Sequence, residues 1–192
     1  MTWNRLHASG SPAEGGALDW TISAMRDTID RLLRARGWDQ PHAFAVISEA
    51  VWWVTMVDAT LVRYHPDAYD GVLAGHDAAE RHAIEGTFGG LRFVRNEMGY
   101  YLDQADFVQP GRGGPGTGAI AAWTWRPLPE PGLDSLPARG QEWEMTRYRE
   151  YQAWLASQPV GDTFRRAAAF LRRASAGCLT HSEPGGAGGV RR

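Results

Sequence analysis

The chain has 192 residues, of which 43% are hydrophobic and 22% charged, and its formal net charge is −2. These totals are typical of a single globular domain that is long enough to bury a core. The small net charge excludes a general attraction to nucleic acid or to an acidic membrane, so binding of that kind would depend on a local patch. All 20 basic residues are Arg, which together with the Ala and Gly content indicates a GC-rich, bacterial coding genome.

The cysteine count and the composition of the N-terminal residues indicate the cellular compartment. The single Cys178 excludes an intrachain disulfide and favours a reducing environment. Residues 1–17 contain Gly, Ser and Pro without the apolar core of a signal peptide, and they predict a flexible leader. The most apolar run, residues 44–57, is too short to span a bilayer and contains a Glu. The sequence therefore predicts a cytoplasmic protein without a membrane contact.

Two helical patterns open the domain. The first helix is predicted from about Asp19 to Gly37, with core positions at helical spacing. These positions are Trp20, Ile22, Met25, Ile29, Leu32 and Leu33. The second helix, residues 42–64, follows Pro41 and is apolar almost all round, which is typical of an element at the centre of a bundle.

Two acidic residues interrupt the apolar second helix. Asp58 shares a stripe with apolar core positions, and Glu49 shares the stripe of Trp52 and Met56. A buried carboxylate needs a partner, usually Arg, or its pKa rises. Both acids are therefore interpreted either as paired structural groups or as functional acids in a site.

The longest amphipathic pattern, residues 84–107, is predicted to be the central helix. Its apolar face comprises Ile84, Thr87, Leu91, Val94, Met98, Tyr101, Leu102 and Ala105. The opposite face comprises Arg92, Asn96, Gly99 and Asp103, with Arg95 on the border. This polar stripe is the best candidate for a functional site.

Glycines divide the region that leads into the central helix. His65-Pro66 ends the second helix, residues 71–75 predict a turn, and residues 77–84 predict a short helix. Three further glycines, at positions 86, 89 and 90, each cost a helix interior about 1 kcal/mol. They indicate either a break near Gly86 or a very tight packing contact, and we expect a break with Thr87 as the helix cap.

A Gly- and Pro-rich stretch follows the central helix. Residues 109–118 predict a loop, and their G-x-G-x-x-G spacing lacks the strand and helix that nucleotide binding requires. Residues 121–126 predict an extended segment with Trp123 and Trp125 on one face, continued by a proline-rich strap. The two Trp are expected to pin the strap to the helical core, with an exposed aromatic platform as the alternative.

Two more helices complete the predicted domain, at residues 141–157 and from Val160 or Asp162 to Ala174. The last helix carries an outer face of four arginines, Arg165, Arg166, Arg172 and Arg173. Such a face would bind phosphates or remain a solvated, ion-paired surface. Residues 176–192 are Gly-rich and predict a disordered tail, in which Cys178 would be a poor nucleophile.

Metal and cofactor signals are weak. His76 and His82 lie on different helical faces, and the sequence contains neither H-E-x-x-H nor a Cys/His cluster. We therefore predict neither a metal site nor a cofactor.

The run from Arg95 and Asn96 to Tyr100 resembles the motif of the HEPN superfamily, small helical-bundle domains of prokaryotic toxin–antitoxin, abortive-infection and defence systems. Many of them are metal-independent ribonucleases, and two protomers typically form one composite site. The family motif has an Arg, a polar residue and, after a short spacer, a His, where this chain has Tyr100. Phenol is a poor base at neutral pH, so the resemblance implies a degenerate, RNA-binding relative.

The combined patterns predict an all-α helical bundle of about five helices with one short Trp-bearing extended segment, residues 18–175 being a single domain. Three functional hypotheses follow. The first is a HEPN-like RNA-binding or weakly ribonucleolytic domain, in which Arg95, Asn96 and Tyr100 form the site and two subunits pair through the glycines of the central helix. The second is a non-enzymatic module in which the polar stripe or the Arg165–Arg173 face meets a partner protein. The third is a small-molecule enzyme using Glu49 or Asp58.

The role of Arg95 has two interpretations, one structural and one functional. In the structural one, its guanidinium pairs with Asp58 or Glu49 of the apolar second helix. In the functional one, Arg95 lies in a groove beside Asn96 and Tyr100 and contacts phosphate. The structural pairing is the expected outcome.

Overall fold

Helices dominate the computed structural model, which describes residues 13–34, 39–100, 107–111 and 123–179. The elements in these ranges are α1 (Ala13–Arg34), α2 (Gln40–Tyr64), α3 (Pro66–Ala74), α4 (Ala78–Tyr100), β1 (Val108–Pro110), β2 (Trp123–Trp125), α5 (Ala138–Trp154) and α6 (Val160–Leu179). The predicted all-α class is confirmed, since the strands found in the described ranges form one two-stranded antiparallel ribbon.

The α2 helix is the centre of the bundle. It begins where the Asp39 carboxylate accepts the backbone N–H of His42 at 3.0 Å, with proline in the first turn. The helix packs against α1, α3, α4 and α6 and contacts β1. Its buried residues are Ala43, Ile47, Ala50, Val51, Val54, Thr55, Val57, Asp58 and Leu61. The central position predicted from its apolar pattern is confirmed.

The α3 helix occupies a segment where a turn was predicted. His65 ends α2 as expected, but Pro66 then takes the first-turn position of a new helix, and residues 71–75 are largely helical. The helix is stabilised by Tyr69, which is buried edge-on against Phe170 of α6. Nine residues are too few to show a helical period in the sequence, which is why the element was missed.

The α4 helix is continuous through its glycines, so the predicted break near Gly86 with Thr87 as cap is wrong. A Cβ at Gly86 would overlap the Trp154 indole of α5, and one at Gly90 would lie 2.8 Å from Leu155 Cδ1 and 3.1 Å from Tyr151 Cα. The tight packing alternative therefore holds. Because the glycines face α5 of their own chain, their predicted role in joining two subunits is wrong as well.

The central helix does not reach Phe107, where the pattern had placed its end. The described part of α4 runs to Tyr100, and Phe107 is a buried, non-helical residue before β1. The predicted positions Tyr101, Leu102, Asp103 and Ala105 lie outside the described residues.

The Trp-bearing segment is pinned to the core as predicted. Trp123 and Trp125 are both buried, and the Trp125 Nε1–H donates to Thr163 Oγ1 of α6 at 2.9 Å. The segment pairs with β1, which was not predicted: residues 109 and 110 are strand, and 112–118 lie outside the described residues. A three-residue strand is too short to show an alternating pattern.

The proline-rich strap after β2 is tied to α5. The Tyr148 hydroxyl donates to the Leu128 carbonyl at 3.1 Å, and the Tyr151 hydroxyl donates to the carbonyl of Arg126. Both bonds come from tyrosines of α5. They satisfy two backbone carbonyls of the strap, whose prolines supply no N–H donors of their own.

Helical structure extends beyond both predicted ends of the domain. α1 begins at Ala13, so residues 13–17 of the predicted leader are helical, because the cost of two glycines is modest beside the burial of Leu18. Trp20, predicted as core, is 76% exposed. α6 continues to Leu179, so residues 176–179 of the predicted tail are helical, while 1–12 and 180–192 lie outside the described residues.

By length and composition alone, α2 is also long and apolar enough to cross a membrane. This is weak evidence, since the core helix of a soluble bundle passes the same test. Its buried face packs on four other helices of the chain.

The glycine contact between α4 and α5 has a direct test. We expect Gly90→Ala to lower the free energy of unfolding by about 1–3 kcal/mol, because the Tyr151 backbone must move to admit a methyl group. The matched control is Gly71→Ala in α3, where nothing lies within 4 Å of the new Cβ, and it should raise stability by up to about 1 kcal/mol. Urea unfolding followed by circular dichroism measures both. A Gly90→Ala protein as stable as the parent would contradict the close approach.

Candidate functional site

A buried carboxylate joins three helices of the bundle. Asp58 of α2 has no exposed surface, and its Oδ2 accepts Arg92 of α4 through Nε at 3.0 Å and Nη2 at 2.5 Å. The Tyr69 hydroxyl of α3 donates to its other oxygen at 2.9 Å. Two donors to one oxygen and a third to the other satisfy an acid that would be costly to bury alone.

Burial dominates the electrostatics of this group. It raises the pKa of Asp58, and the positive charge of Arg92 and the hydrogen bonds from Arg92 and Tyr69 oppose the rise. Burial and the neighbouring carboxylate raise the pKa of Tyr69 well above its usual range, so this phenol remains a neutral donor. The arrangement is a structural clamp that joins α2, α3 and α4.

The partners of both predicted acids differ from the predicted one. Asp58 pairs with Arg92, and Glu49 pairs with Arg31 of α1 while accepting the Thr28 hydroxyl at 3.0 Å. The expected pairing of Arg95 with Asp58 or Glu49 is therefore wrong. Arg92 takes the bonds to Asp58, and Arg95, three residues further along α4, lies close enough to act electrostatically on Asp58 without pairing with it.

Part of the polar stripe of α4 is covered by α5. Asn96 Nδ2 donates to Glu144 of α5 at 3.0 Å, and Arg147 Nη1 lies 3.4 Å from the same carboxylate. Burial raises the pKa of Glu150, which lies against Gly89, and Arg92 opposes that rise. The α5 acids were not predicted, because each is one polar residue beside an apolar inner stripe and gains meaning only from its α4 neighbour.

Arg95 has a different environment. Its Nη2 lies 3.5 Å from Asn96 Oδ1, a long contact, and among the described residues no carboxylate forms an ion pair with it. Burial lowers the pKa of Arg95, as do Arg147 and Arg92, with weaker opposition from Asp58 and Glu144. The structure thus holds a half-buried cation between two other cations.

Two of the predicted site residues have no described side chain. Tyr100 lies in α4, and only its place in the helix is described. Asp103 lies outside the described residues. The described geometry therefore brings Arg95 and Asn96 together with Glu144 and Arg147 of α5.

The four arginines of α6 lie on its exposed face, as predicted. Arg165 pairs with Asp162, and Arg166 Nη1 donates to Thr87 Oγ1 of α4 at 3.1 Å. Within the described part of the chain, Arg172 and Arg173 form no ion pair. Thr87 precedes Arg95 by about 12 Å along the α4 axis, so the α6 face is a separate basic surface.

Metal-binding geometry is absent from the residues that the structure describes, where no group of three or more His, Cys, Asp or Glu side chains is placed to hold an ion. His76 contacts Glu80 at 3.0 Å, and the ring of His82 meets Trp154 edge-on. Cys178 lies in α6, not in a free tail, and burial raises the pKa of its thiol.

No family model, curated protein or solved structure matches this chain. The HEPN resemblance rests on Arg95, Asn96 and Tyr100 within a helical fold, and it stays a prediction.

The Asp58 clamp predicts a pH-dependent mutational effect. Arg92→Ala should cost about 3–5 kcal/mol of stability at neutral pH, since it leaves a buried carboxylate without its cation. The folded-state pKa of Asp58 is already raised, so its stabilising contribution is present at low pH and is lost as pH rises through that pKa. Without Arg92 the pKa rises further, and the destabilisation should shrink as the pH is lowered. Denaturant unfolding at neutral and acidic pH measures this.

The companion variant removes the buried negative charge as well as its cationic partner. Asp58→Asn in the Arg92→Ala background should recover part of the lost stability, because a neutral amide is cheaper to bury than an unpaired carboxylate. Equal destabilisation by Arg92→Ala at both pH values, with no recovery in the double variant, would contradict the clamp.

Proposed function

We propose that the protein is a non-catalytic RNA-binding module with Arg95 as its phosphate-contacting residue, in the manner of a degenerate HEPN-like domain. The observation that carries the proposal is the half-buried guanidinium of Arg95, which has no acidic partner among the described residues. Buried charges are normally paired. A phosphate oxygen would supply the missing anion.

The surroundings of Arg95 favour an anionic ligand. Arg147 and Arg92 both act against its charge, and a bound anion would relieve that repulsion. Arg92 is held by Asp58 and Arg147 by Glu144, so Arg95 is the member of this cluster that has no ion pair with any described residue. Arg is well suited to phosphate because its planar fork donates two parallel hydrogen bonds.

The residues beside Arg95 support binding more than catalysis. Tyr100 stands where the family motif has His, and phenol does not accept a ribose proton readily at neutral pH. The Asn96 amide is already engaged with Glu144, so its side chain serves the α4–α5 contact. A site of this composition is expected to hold RNA without cleaving it.

One observation favours a second candidate, a protein-interaction module that binds an acidic partner. The outer face of α6 exposes Arg172 and Arg173, which have no ion-pair partner in the described ranges. The third hypothesis loses its motivation, because Glu49 and Asp58 are both paired with arginines.

Arg95→Ala tests the proposal. We expect the variant to bind a fluorescein-labelled single-stranded RNA about 10-fold more weakly, with a salt dependence reduced by about one charge. Its melting temperature should stay close to that of the parent, since Arg95 forms no ion pair with the residues that the structure describes. Fluorescence anisotropy at several salt concentrations and a thermal melt provide the two measurements.

Matched variants make the result specific. Arg26→Ala removes the same charge from the exposed face of α1 and should leave RNA affinity nearly unchanged. Equal losses in both variants would indicate general electrostatic attraction. Failure of the parent to bind RNA would refute the proposal, as would RNA affinity lost only in Arg172→Ala/Arg173→Ala.

A further inference from the structure

The outer face of α2 carries an apolar stripe that the bundle leaves uncovered. Trp52 is 51% exposed and Met56 37% exposed, although they lie on the most apolar helix of the chain. The stripe consists of Ala45, Glu49, Trp52, Met56, Ala59 and Arg63, which follow one another at alternating spacings of four and three. That alternation is the narrow seam by which one helix pairs with another.

The stripe is distinct from the buried face of the same helix. Asp58 points to the opposite side of the helix, where it pairs with Arg92. The α2 helix therefore has one contact face inside the bundle and the outer stripe on the other side. The neighbouring α1 adds to the outer stripe. Its Trp20 is 76% exposed and lies on the same face of α1 as Arg31, which contacts Glu49 of the stripe. Contiguous exposed aromatic and thioether side chains mark association surfaces.

We propose that this outer stripe is the interface with a second copy of the chain, with the two α2 helices antiparallel about a two-fold axis at Met56. Charge placement on the stripe selects this partner. Glu49 and Arg63 lie equally far on either side of Met56, so the two-fold sets Glu49, which already pairs with Arg31 of its own subunit, beside Arg63 of the partner subunit, and the reverse. A parallel pairing would instead set the two Arg63 guanidinium groups together.

Side-chain size on the stripe agrees with the same axis. Trp52 of one copy lies level with Thr60 of the partner subunit, next to the small side chain at Ala59. Small residues opposite each indole leave room for it to insert, which is how knobs pack into holes. The interface does not involve the glycines of α4, and it does not depend on RNA binding.

A disulfide experiment locates the axis. In a Cys178→Ser background, Met56→Cys should form an interchain disulfide readily under mild oxidation, because a residue on the axis meets its own copy within reach. Ala45→Cys is the matched control on the same stripe, and its two copies would be about 33 Å apart along the helices. It should remain uncrosslinked, as measured by non-reducing electrophoresis.

Solution assembly provides the second measurement. Sedimentation should show a concentration-dependent dimer whose dissociation constant rises about 30-fold or more in Trp52→Glu, since each dimer loses two buried anchors. Trp143→Glu is the control, because Trp143 is 55% exposed on α5, away from the stripe, and its dimer should match the parent. Circular dichroism checks that both variants are folded.

The contrary outcomes are distinct. A parent protein that is monomeric at all concentrations overturns the proposal, as does a dimer that Trp52→Glu leaves intact or that crosslinks equally through Ala45→Cys. A monomer that floats with phosphatidylcholine vesicles through Trp52 would assign the stripe to a lipid surface instead. If Trp52→Glu fails to fold, the two cysteine variants decide.

Discussion

The ion pair between Asp58 and Arg92 is the constraint on which the rest of the arrangement depends. Placing a carboxylate at the centre of an apolar helix is costly unless a cation and a second donor reach it, and Arg92 and Tyr69 do so from two other helices. The requirement fixes the rotation of α4 about its axis. Once Arg92 faces α2, Arg95 is turned by about 60° to the edge of the helix and does not bond to Asp58.

The contact between α4 and α5 then sets the charge around that edge. Glycines at positions 86, 89 and 90 remove the side chains that would hold α5 away, so Tyr151 and its neighbours pack on the α4 backbone. The close approach brings Glu144 to Asn96 and Arg147 to the vicinity of Arg95. The glycine contact between α4 and α5 thus determines which charged side chains lie near Asn96 and Arg95. Among its charged neighbours, Arg147 and Arg92 therefore act on Arg95 more strongly than Asp58 and Glu144 do.

The sequence predicted the elements with strong local patterns and missed those that depend on distant partners. The central position of α2, the need of Asp58 for an arginine and the anchoring role of Trp125 all followed from residue type and spacing. The choice of Arg92 over Arg95 did not, because one amphipathic pattern fits either rotation of the helix. The glycines in α4 were ambiguous for the same reason, since Trp154, which fills the space beside Gly86, is far along the chain.

The two proposed surfaces are compatible because α2 separates them. α4 packs on the inner side of α2, where Asp58 lies, whereas Met56 lies on the outer side. A second copy bound at Met56 would therefore leave the Arg95 edge of each subunit uncovered. In such a dimer two phosphate-contacting edges would be held at a fixed separation, and an RNA long enough to reach both would bind more tightly than its single contacts imply. Weak individual sites of one half-buried arginine each would then suffice for useful affinity.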